Sequence, residues 1–305
     1  MKLFHFALVC FLLSLLVFPL LAPSGAFFPE DDGTIRVMSF NVRYNNPGDG
    51  INAWPHRSAK VAEMIGKRYQ ADIVGLQEVL RGQVEDLVRH LPEFDWVGVG
   101  RDDGWKEGEF SPIFYRRDRL ELLEVNTFWL SESPEIPGSK SWDAAITRIA
   151  TWGRFKDKRS GQSFYFFNTH FDHRGEQARQ ESAQLLRERV TKVSYGSPAI
   201  VTGDLNFPES SVGYRHLVED RSGLRKLVDA RYVSETAHQG PTASTSNWVR
   251  LRPPESRIDY ILINPEVRVR NHRIIDDQFD GRYPSDHLPV LAEVTLEGTR
   301  TAAQP

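Results

Sequence analysis

Apolar and polar positions along the chain form short blocks that switch repeatedly between two periods. Residues 35–41 (IRVMSFN) and 72–78 (DIVGLQE) are nearly unbroken apolar runs, and each predicts a buried strand. Between them, Val61, Ala62, Met64 and Ile65 fall at helical spacing within residues 56–69. Residues 84–91 predict a short helix stopped by Pro92, and 95–100, 111–116 and 120–130 predict further strands. Residues 148–156 and 163–170 flank the polar stretch DKRSGQ, which predicts a hairpin closed by a loop. Residues 176–193 carry the strongest helical pattern, and 198–202 lead as a strand into Gly203. Residues 257–263 and 288–296 are expected as the last two strands. The Ser-, Pro- and Gly-rich stretches 131–147 and 234–256 are expected as long loops. Many strands with a few helices between hairpins, and no internal repeat, point to one two-sheet α/β sandwich over residues 35–297.

The ends follow other patterns. Lys2 precedes an almost wholly apolar run over residues 3–22, followed by Pro23, Ser24, Gly25 and Ala26. That order predicts a secretory signal over residues 1–26, cleaved after Ala26, so that the mature protein is exported to the periplasm or the medium. The alternative is an uncleaved membrane anchor, because the run approaches the roughly 20 residues that span a bilayer. Residues 27–34 (FFPEDDGT) are expected as a linker and 298–305 as a tail.

Composition narrows the partners. The chain has 305 residues, 40% hydrophobic and 26% charged, with a net charge of −3 that becomes −4 without residues 1–26. Those values suit a globular protein. The single cysteine, Cys10, leaves with the signal, so the mature chain has no disulfide. No long basic run is present, which weakens a reading as a binder of long nucleic acids without removing it. No protein partner is expected, and a membrane enters only through an uncleaved N-terminus.

The polar residues of interest stand where strands end. Asn41 closes one predicted strand and Glu78 the next; His170 and Asp172 follow SFYFFNT; Asp204 and Asn206 follow PAIVTG; Asp259 lies in RIDYILI; Asp286 and His287 precede the last strand. An acid at the end of a strand buried on both faces sits at a rim. Side chains two apart on an extended segment point the same way, so Asp204 with Asn206, and His170 with Asp172, can each serve one spot. A single Asp at a strand end is ordinarily a turn former or helix cap. The repetition after five or six strands carries the argument. No G-x-S-x-G or H-E-x-x-H pattern supports a serine hydrolase or a zinc protease.

The ordered set SFN (39–41), LQE (76–78), NTH (168–170), GDLN (203–206), RIDYI (257–261) and SDH (285–287) resembles the endonuclease/exonuclease/phosphatase superfamily, which includes deoxyribonuclease I, inositol polyphosphate 5-phosphatases and messenger-RNA deadenylases. The resemblance implies a four-layer α/β sandwich, two packed mixed sheets flanked by helices. It also implies phosphoester hydrolysis with Mg²⁺ or Mn²⁺. Glu78 would be the main metal ligand, helped by Asn41 and Asp286, since hard oxygen donors suit such cations. Asp204 would activate the attacking water, Asn206 hold it or a phosphate oxygen, and His170 and His287 donate to phosphoryl oxygens, with Asp259 orienting His287. The segments HFDHRGEQARQESAQLL, FNVRYNN, WPHR and SPIFYRR are similar to a bacterial branch that includes sugar-phosphate phosphatases. A small phosphorylated substrate is therefore expected, with a secreted nuclease as the alternative and a non-catalytic phosphate-binding module as a third reading. Arg148 and Arg174 are candidates for gripping the substrate phosphate, with Asp172 as support. Tyr44, Trp54, Trp142 and Trp248 are candidates for stacking on a sugar or base, or else anchor the core and loops.

Overall fold

Alternating inward and outward apolar side chains build two six-stranded sheets that face each other. The computed structural model describes residues 33–220 and 223–297; the 1–26 signal or anchor, most of the 27–34 linker and the 298–305 tail lie outside the described residues. The first strands in chain order are β1 (Ile35–Asn41), β2 (Ile73–Gln77), β3 (Phe94–Val97), β4 (Ile113–Arg116), β5 (Leu120–Trp129) and β6 (Ile149–Asp157). They are followed by β7 (Ser163–His170), β8 (Ala199–Asp204), β9 (Val228–Asp229), β10 (Asp259–Ile263), β11 (Val267–Ile274) and β12 (Val290–Leu296). The helices are α1 (Ser58–Ala62), continued by a wider π-type turn over Glu63–Arg68, α2 (Arg81–His90), α3 (Glu176–Ser194), α4 (Val212–Val218) and α5 (Ala230–Val233).

One sheet runs β11-β12-β1-β2-β4-β3 and the other β5-β6-β7-β8-β10-β9. β1 pairs in parallel with β2, and β7 with β8; the remaining pairs are antiparallel. Parallel neighbours need a crossover, and the helical segment through α1 and the long α3 supply the two. Three apolar clusters follow from the period of two. Ile35 and Val37, Ile73, Phe164 and Phe166, Ile200, and Ile261 and Ile263 fill the space between the sheets. Met38, Phe40, Val74 and Leu76 pack outward onto Val61, Met64, Ile65 and Leu87 of the first helical layer. Phe167, Val201 and Leu262 pack onto Leu186, Val190 and Leu217 of the second. This is the four-layer sandwich that the motif order implies.

β11 corrects the expectation that residues 257–263 and 288–296 are the last two strands. It lies between them in sequence and pairs with β12, with a register shift between Val269 and Asn271. Before the shift Val267 and Val269 are buried; after it His272 and Ile274 are. The bulge breaks the period, and a buried histidine hides the rest. The 56–69 helical segment is broken too, into a turn at Trp54–His56, α1 and the wider turn after it.

His272 generates a test of this part of the fold. It is fully buried, with Nδ1 2.9 Å from Nδ1 of His238. Burial first, then the charges of Arg257, His238 and Arg231, pushes its pKa down to about 2. The unfolded chain, with an ordinary value near 6.5, therefore takes up this proton first. Stability from this residue is whole above about pH 6.5 and falls by about 1.4 kcal/mol per pH unit below it. Denaturant unfolding at pH 7, 6 and 5 should show a His272→Met variant losing less stability on acidification than wild type, by about 1.4 kcal/mol per pH unit; equal slopes in both proteins would refute the burial argument.

Candidate active site

The inner faces of the central strands change character from one end of the sandwich to the other. On β1 the side chains facing the opposite sheet are Ile35, Val37, Ser39 and Asn41; on β8 they are Ile200, Thr202 and Asp204; on β7 they are Phe164, Phe166, Asn168 and His170. β10 runs the other way and presents Ile263, Ile261 and Asp259. The strands are thus apolar at the base and polar at the mouth, where β7, β8 and β10 carry ionisable groups and β1 an amide, with small or amide side chains between on β1, β7 and β8. Register completes the convergence: His170 and Asp259 flank Asp204 on its two sides, and Asn41 pairs with Gln77, one residue before Glu78.

Beneath the mouth, the amides form a seam between the sheets. Asn168 Nδ2 donates to the carbonyls of Leu76 (2.7 Å) and Pro112 (2.9 Å), and its Oδ1 accepts from Gln77 Nε2 (2.7 Å) and Thr202 Oγ1 (3.2 Å). Gly75 makes room for it: a Cβ there would lie 2.1 Å from Thr202 Oγ1 and 2.5 Å from Asn168 Oδ1.

Asp204 stands at the centre. Its Oδ2 accepts from Asn41 Nδ2 at 2.9 Å, and its Oδ1 from the backbone N–H of Asn206 at 3.0 Å. His170 Nε2 and His287 Nε2 lie 3.4 and 3.8 Å from Oδ2. Burial, then the negative charge of Asp259, pushes its pKa up to about 7, against the charge of His287 and the hydrogen bonds from Asn41 and Asn206. A carboxylate of raised basicity over a cavity suits a general base.

The two imidazoles are set differently. His287 Nδ1 is 2.9 Å from Asp259 Oδ2, and the hydroxyl of Ser244 donates to the same oxygen at 2.6 Å. Burial alone would favour neutral His287, but the charges of Asp259, Asp204 and Asp286 and the bond to Asp259 outweigh it and hold the ring protonated well above the usual histidine range. His170 is pushed well below that range, by burial first and then by the charges of Arg148 and His287. Asn206 Nδ2 donates to the carbonyl of Phe171 (2.9 Å), which can only accept, so the same nitrogen donates its second proton to His170 Nε2 (3.0 Å). Neutral His170 is therefore protonated at Nδ1 here, and donating to a phosphoryl oxygen through Nε2 requires that nitrogen to gain a proton. This differs from the simple donor role expected of His170.

Above Asp204 lies a cavity of about 400 Å³, lined by Arg43, Tyr44, Glu78, Glu109, Ile146, Arg148, His170, His173, Asp204, Asn206 and His287. Of the two candidate phosphate-gripping arginines, only Arg148 reaches it. Arg148 is 5% exposed, and its Nε and Nη1 make no hydrogen bond; Nη2 is 3.3 Å from His173 Nδ1. Arg174 is exposed and does not line the cavity. β7 ends at His170, so the period of two ends there as well, and the chain turns away. For the same reason Asp172 does not join His170 at one spot. Its carboxylate accepts four backbone N–H groups, of Ala145, Ile146, Arg174 and Gly175, which outweigh its burial and lower its pKa. Asp172 ties the 131–147 segment to the site and so places Ile146 and Arg148. Of the aromatic candidates only Tyr44 lines the cavity; Trp54 is buried, with its indole N–H on Asp86, and the guanidinium of Arg57 lies against Trp54 and Trp248.

Donor chemistry separates the residues that suit a cation. Glu78 Oε1 accepts from Asn41 Nδ2 (3.1 Å) and Oε2 from the N–H of Tyr44 (3.1 Å), with Arg43 3.9 Å away. Asn41 Oδ1 accepts from the N–H of Arg43 (2.9 Å), so the Asn41 amide here bridges the Glu78 and Asp204 carboxylates and keeps one lone pair for a metal. Asp286 is half-buried beside Glu78's cavity without lining it, and its charge is felt by Arg43, Arg57 and His287. Glu78, Asp286 and Asn41 each offer an oxygen, the donor type that suits Mg²⁺ or Mn²⁺. Asp204, Asp259 and His287 also offer ligand atoms within 4.8 Å of one another. There, however, Asp259 Oδ2 already accepts from Ser244 and lies 2.9 Å from His287 Nδ1, which leaves Asp259 Oδ1 and Asp204 as the oxygens for a cation. The all-oxygen donors on the Glu78 side suit a hard cation better than a set that includes an imidazole.

Three supports had no sequence signal strong enough to single them out. Ser244 sits in the irregular 234–256 stretch, and its hydroxyl also accepts from the N–H groups of Ile258 (3.0 Å) and Asp259 (3.1 Å). Arg57, the last residue of WPHR, is buried and donates to the carbonyls of Asn52 (2.8 Å), Val42 and Arg43 (2.7 Å), which fixes the turn after Asn41. Glu109 enters from the excursion between β3 and β4. Arg43, Glu78 and Asn206, each just beyond a strand end, have φ of 58°, 62° and 52°. Such backbone costs about 1–3 kcal/mol per residue and is held only where the surroundings enforce it.

Residues 38–287 match the family described as the Endonuclease/Exonuclease/phosphatase family. A solved endonuclease/exonuclease/phosphatase of Bacteroides vulgatus is 41% identical, with a TM-score of 0.82 over 87% of this chain and 99% of that one. The mannosyl-6-phosphatase of Bacteroides thetaiotaomicron is 37% identical, with a TM-score of 0.80 over 86% of this chain and 100% of that one. An uncharacterized protein of Acanthamoeba polyphaga mimivirus is 27% identical over 216 residues; the match covers 59% of this chain and 31% of that longer protein.

The Ser244–Asp259–His287 chain orders the expected effects of substitution. Asp259→Asn removes the charge that orients His287 and should lower kcat by about 10²–10³, the usual loss for one oxyanion donor. Ser244→Ala removes one hydrogen bond to Asp259 and should cost about tenfold. Steady-state kinetics on folded variants checks the ranking, and a Ser244→Ala loss as large as that of Asp259→Asn would contradict it.

Proposed function

The chain belongs to the endonuclease/exonuclease/phosphatase family, and we propose that this member is an exported, divalent-metal-dependent hydrolase of small phosphorylated molecules. Members of the family are hydrolases acting on phosphoesters. The observation that carries the finer reading is the cavity itself: a basic carboxylate, Asp204, on its floor and in its wall a buried guanidinium, Arg148, whose Nε and Nη1 lie 4.0 Å from Asp172 and Glu109 and make no hydrogen bond.

The chain's own residues divide the work. Arg148 binds the phosphoryl group through a planar fork of donors. Asp204, held by Asn41 and the N–H of Asn206, orients a water and takes its proton as the water attacks phosphorus; the ester P–O bond breaks, the alcohol leaves with a proton from solvent, and Asp204 returns its own proton to solvent. His287, kept cationic by Asp259, donates from Nε2 to a phosphoryl oxygen as charge builds on it. Asn206 restrains His170 at the opposite side. A cation bound by Glu78, Asp286 and Asn41 would polarise a phosphoryl oxygen and offset the developing charge. A nuclease would share this centre and differ in its groove. The cavity of about 400 Å³, with Glu109 and Ile146 in its wall, favours a small substrate, as does the likeness to a mannosyl-6-phosphatase. Export rests on the order of Lys2, the apolar run 3–22 and the small residues Ser24 and Ala26.

Purified protein starting at Phe27 should hydrolyse p-nitrophenyl phosphate and sugar phosphates with Mg²⁺ or Mn²⁺ and lose the activity in EDTA. Asp204→Asn should lower turnover by about 10²–10⁴, as for a lost general base. Activity indifferent to EDTA would remove the metal from the proposal. Faster cleavage of plasmid or single-stranded RNA than of any small phosphate would replace the phosphatase reading with a nuclease. Mass spectrometry of the chain expressed from Met1 should find Phe27 as the first residue of the exported protein; a retained N-terminus in the membrane fraction would establish an anchor instead.

A further inference from the structure

Glu109 is an odd wall for a cavity that takes phosphate. Its position is firmly set, because its backbone carbonyl accepts from the N–H of Arg101 (3.1 Å) and the next residue, Phe110, donates to the carbonyl of Val79 (2.7 Å), beside Glu78. Its Oε2 accepts from Arg101 Nη1 at 2.7 Å and lies 4.0 Å from Arg148 Nη1. Its Oε1 makes no hydrogen bond, is not sealed from solvent, and belongs to a side chain that lines the cavity. If Glu109 served only to balance Arg101 and Arg148, one oxygen would suffice and the other would face the protein. Instead an acceptor with free lone pairs stands within a few ångströms of the guanidinium that holds the phosphoryl group.

We infer that Glu109 makes this a site for monophosphate esters of neutral polyols, accepting a substrate hydroxyl at Oε1 and repelling any second phosphate; this rests on the phosphoester-hydrolase reading above. The chemistry is one-sided. An ionised carboxylate only accepts, so it pairs with a hydroxyl and with no phosphate oxygen. A hydrogen bond to a charged acceptor in a confined site is among the stronger kinds, and losing it costs about tenfold or more in kcat/KM. A second phosphate placed against Glu109 would meet like charge at short range in a poorly screened site. Arg101 keeps the Glu109 carboxylate in place and leaves the outward oxygen for the ligand.

The test compares kcat/KM of wild type and Glu109→Gln for three kinds of ester: monophosphates of hexoses, pentoses and glycerol; hexose 1,6-bisphosphate; and p-nitrophenyl phosphate, which has no hydroxyl to offer. Ratios of kcat/KM within one preparation do not depend on how much of it is folded. Wild type should prefer the best polyol monophosphate to both other esters. In Glu109→Gln the ratio of that polyol phosphate to p-nitrophenyl phosphate should fall about tenfold, and the ratio of bisphosphate to monophosphate should rise by a similar factor. If all three fall by one factor, Glu109 acts on the common phosphate site and the inference is wrong. It is equally wrong if wild type favours the bisphosphate or p-nitrophenyl phosphate, or if the variant only raises the Mg²⁺ needed for half-maximal rate, which would make Glu109 a cation ligand. A wild type inert toward all three esters with Mg²⁺ and Mn²⁺ would overturn the phosphoester-hydrolase reading itself.

Discussion

Asn168 joins the two sheets beneath the mouth of the site. One side chain of β7 donates to two backbone carbonyls of the opposite sheet and accepts from Gln77 and Thr202. A buried amide that is fully paired fixes one arrangement of its surroundings, since any slip leaves its donors and acceptors unsatisfied at a cost of about 1–3 kcal/mol each. Apolar contacts lower in the sandwich set no such condition. The seam therefore decides how the strand ends meet, and Gly75 permits it by leaving the space that Asn168 and Thr202 occupy. Directly above it, the same inner faces end in Asn41, His170, Asp204 and Asp259. A shift of one residue in any of these strands would turn its polar end away from the mouth.

Electrostatics then separates chemically similar residues into distinct roles. Asp259 is buried, bonded to Ser244 and His287, and serves to keep His287 charged. Asp204, across the ladder, is left more basic by burial and by that neighbour. Asp172, saturated with backbone N–H groups, is spent on loop structure. The two histidines diverge for the same reason: His287 has a carboxylate on Nδ1, whereas Nδ1 of His170 has no hydrogen-bond partner and Arg148 faces the ring.

What was legible in the chain follows the period of two. Strand ends carrying Asn41, Glu78, His170 and Asp204 could be recognised because largely apolar runs lead into them, and the shared inner face of Asn41, His170 and Asp204 follows from counting back to Ile35, Phe164 and Ile200; Asp259 instead opens β10, and its apolar run follows it. The pattern fails where the backbone leaves extended geometry. Asp172 and Arg174 lie past the end of β7, so their spacing from His170 carries no directional meaning. β11 is interrupted by a bulge. Ser244, Glu109 and Arg57 act from irregular segments, and only three-dimensional closure shows what their polar atoms touch. Arg148 was recognisable as a residue but not as a buried one; its burial depends on Asp172 gathering the 131–147 segment.

The most direct measurement is a crystal structure with Mn²⁺ and phosphate soaked in, recorded at an energy where manganese scatters anomalously. The anomalous peak should lie on Glu78 and Asp286, with phosphate between Arg148 and the Asp204–His287 pair. Manganese seated among Asp204, Asp259 and His287, or phosphate bound away from Arg148, would contradict the assignment of base, donor and cation to this one mouth.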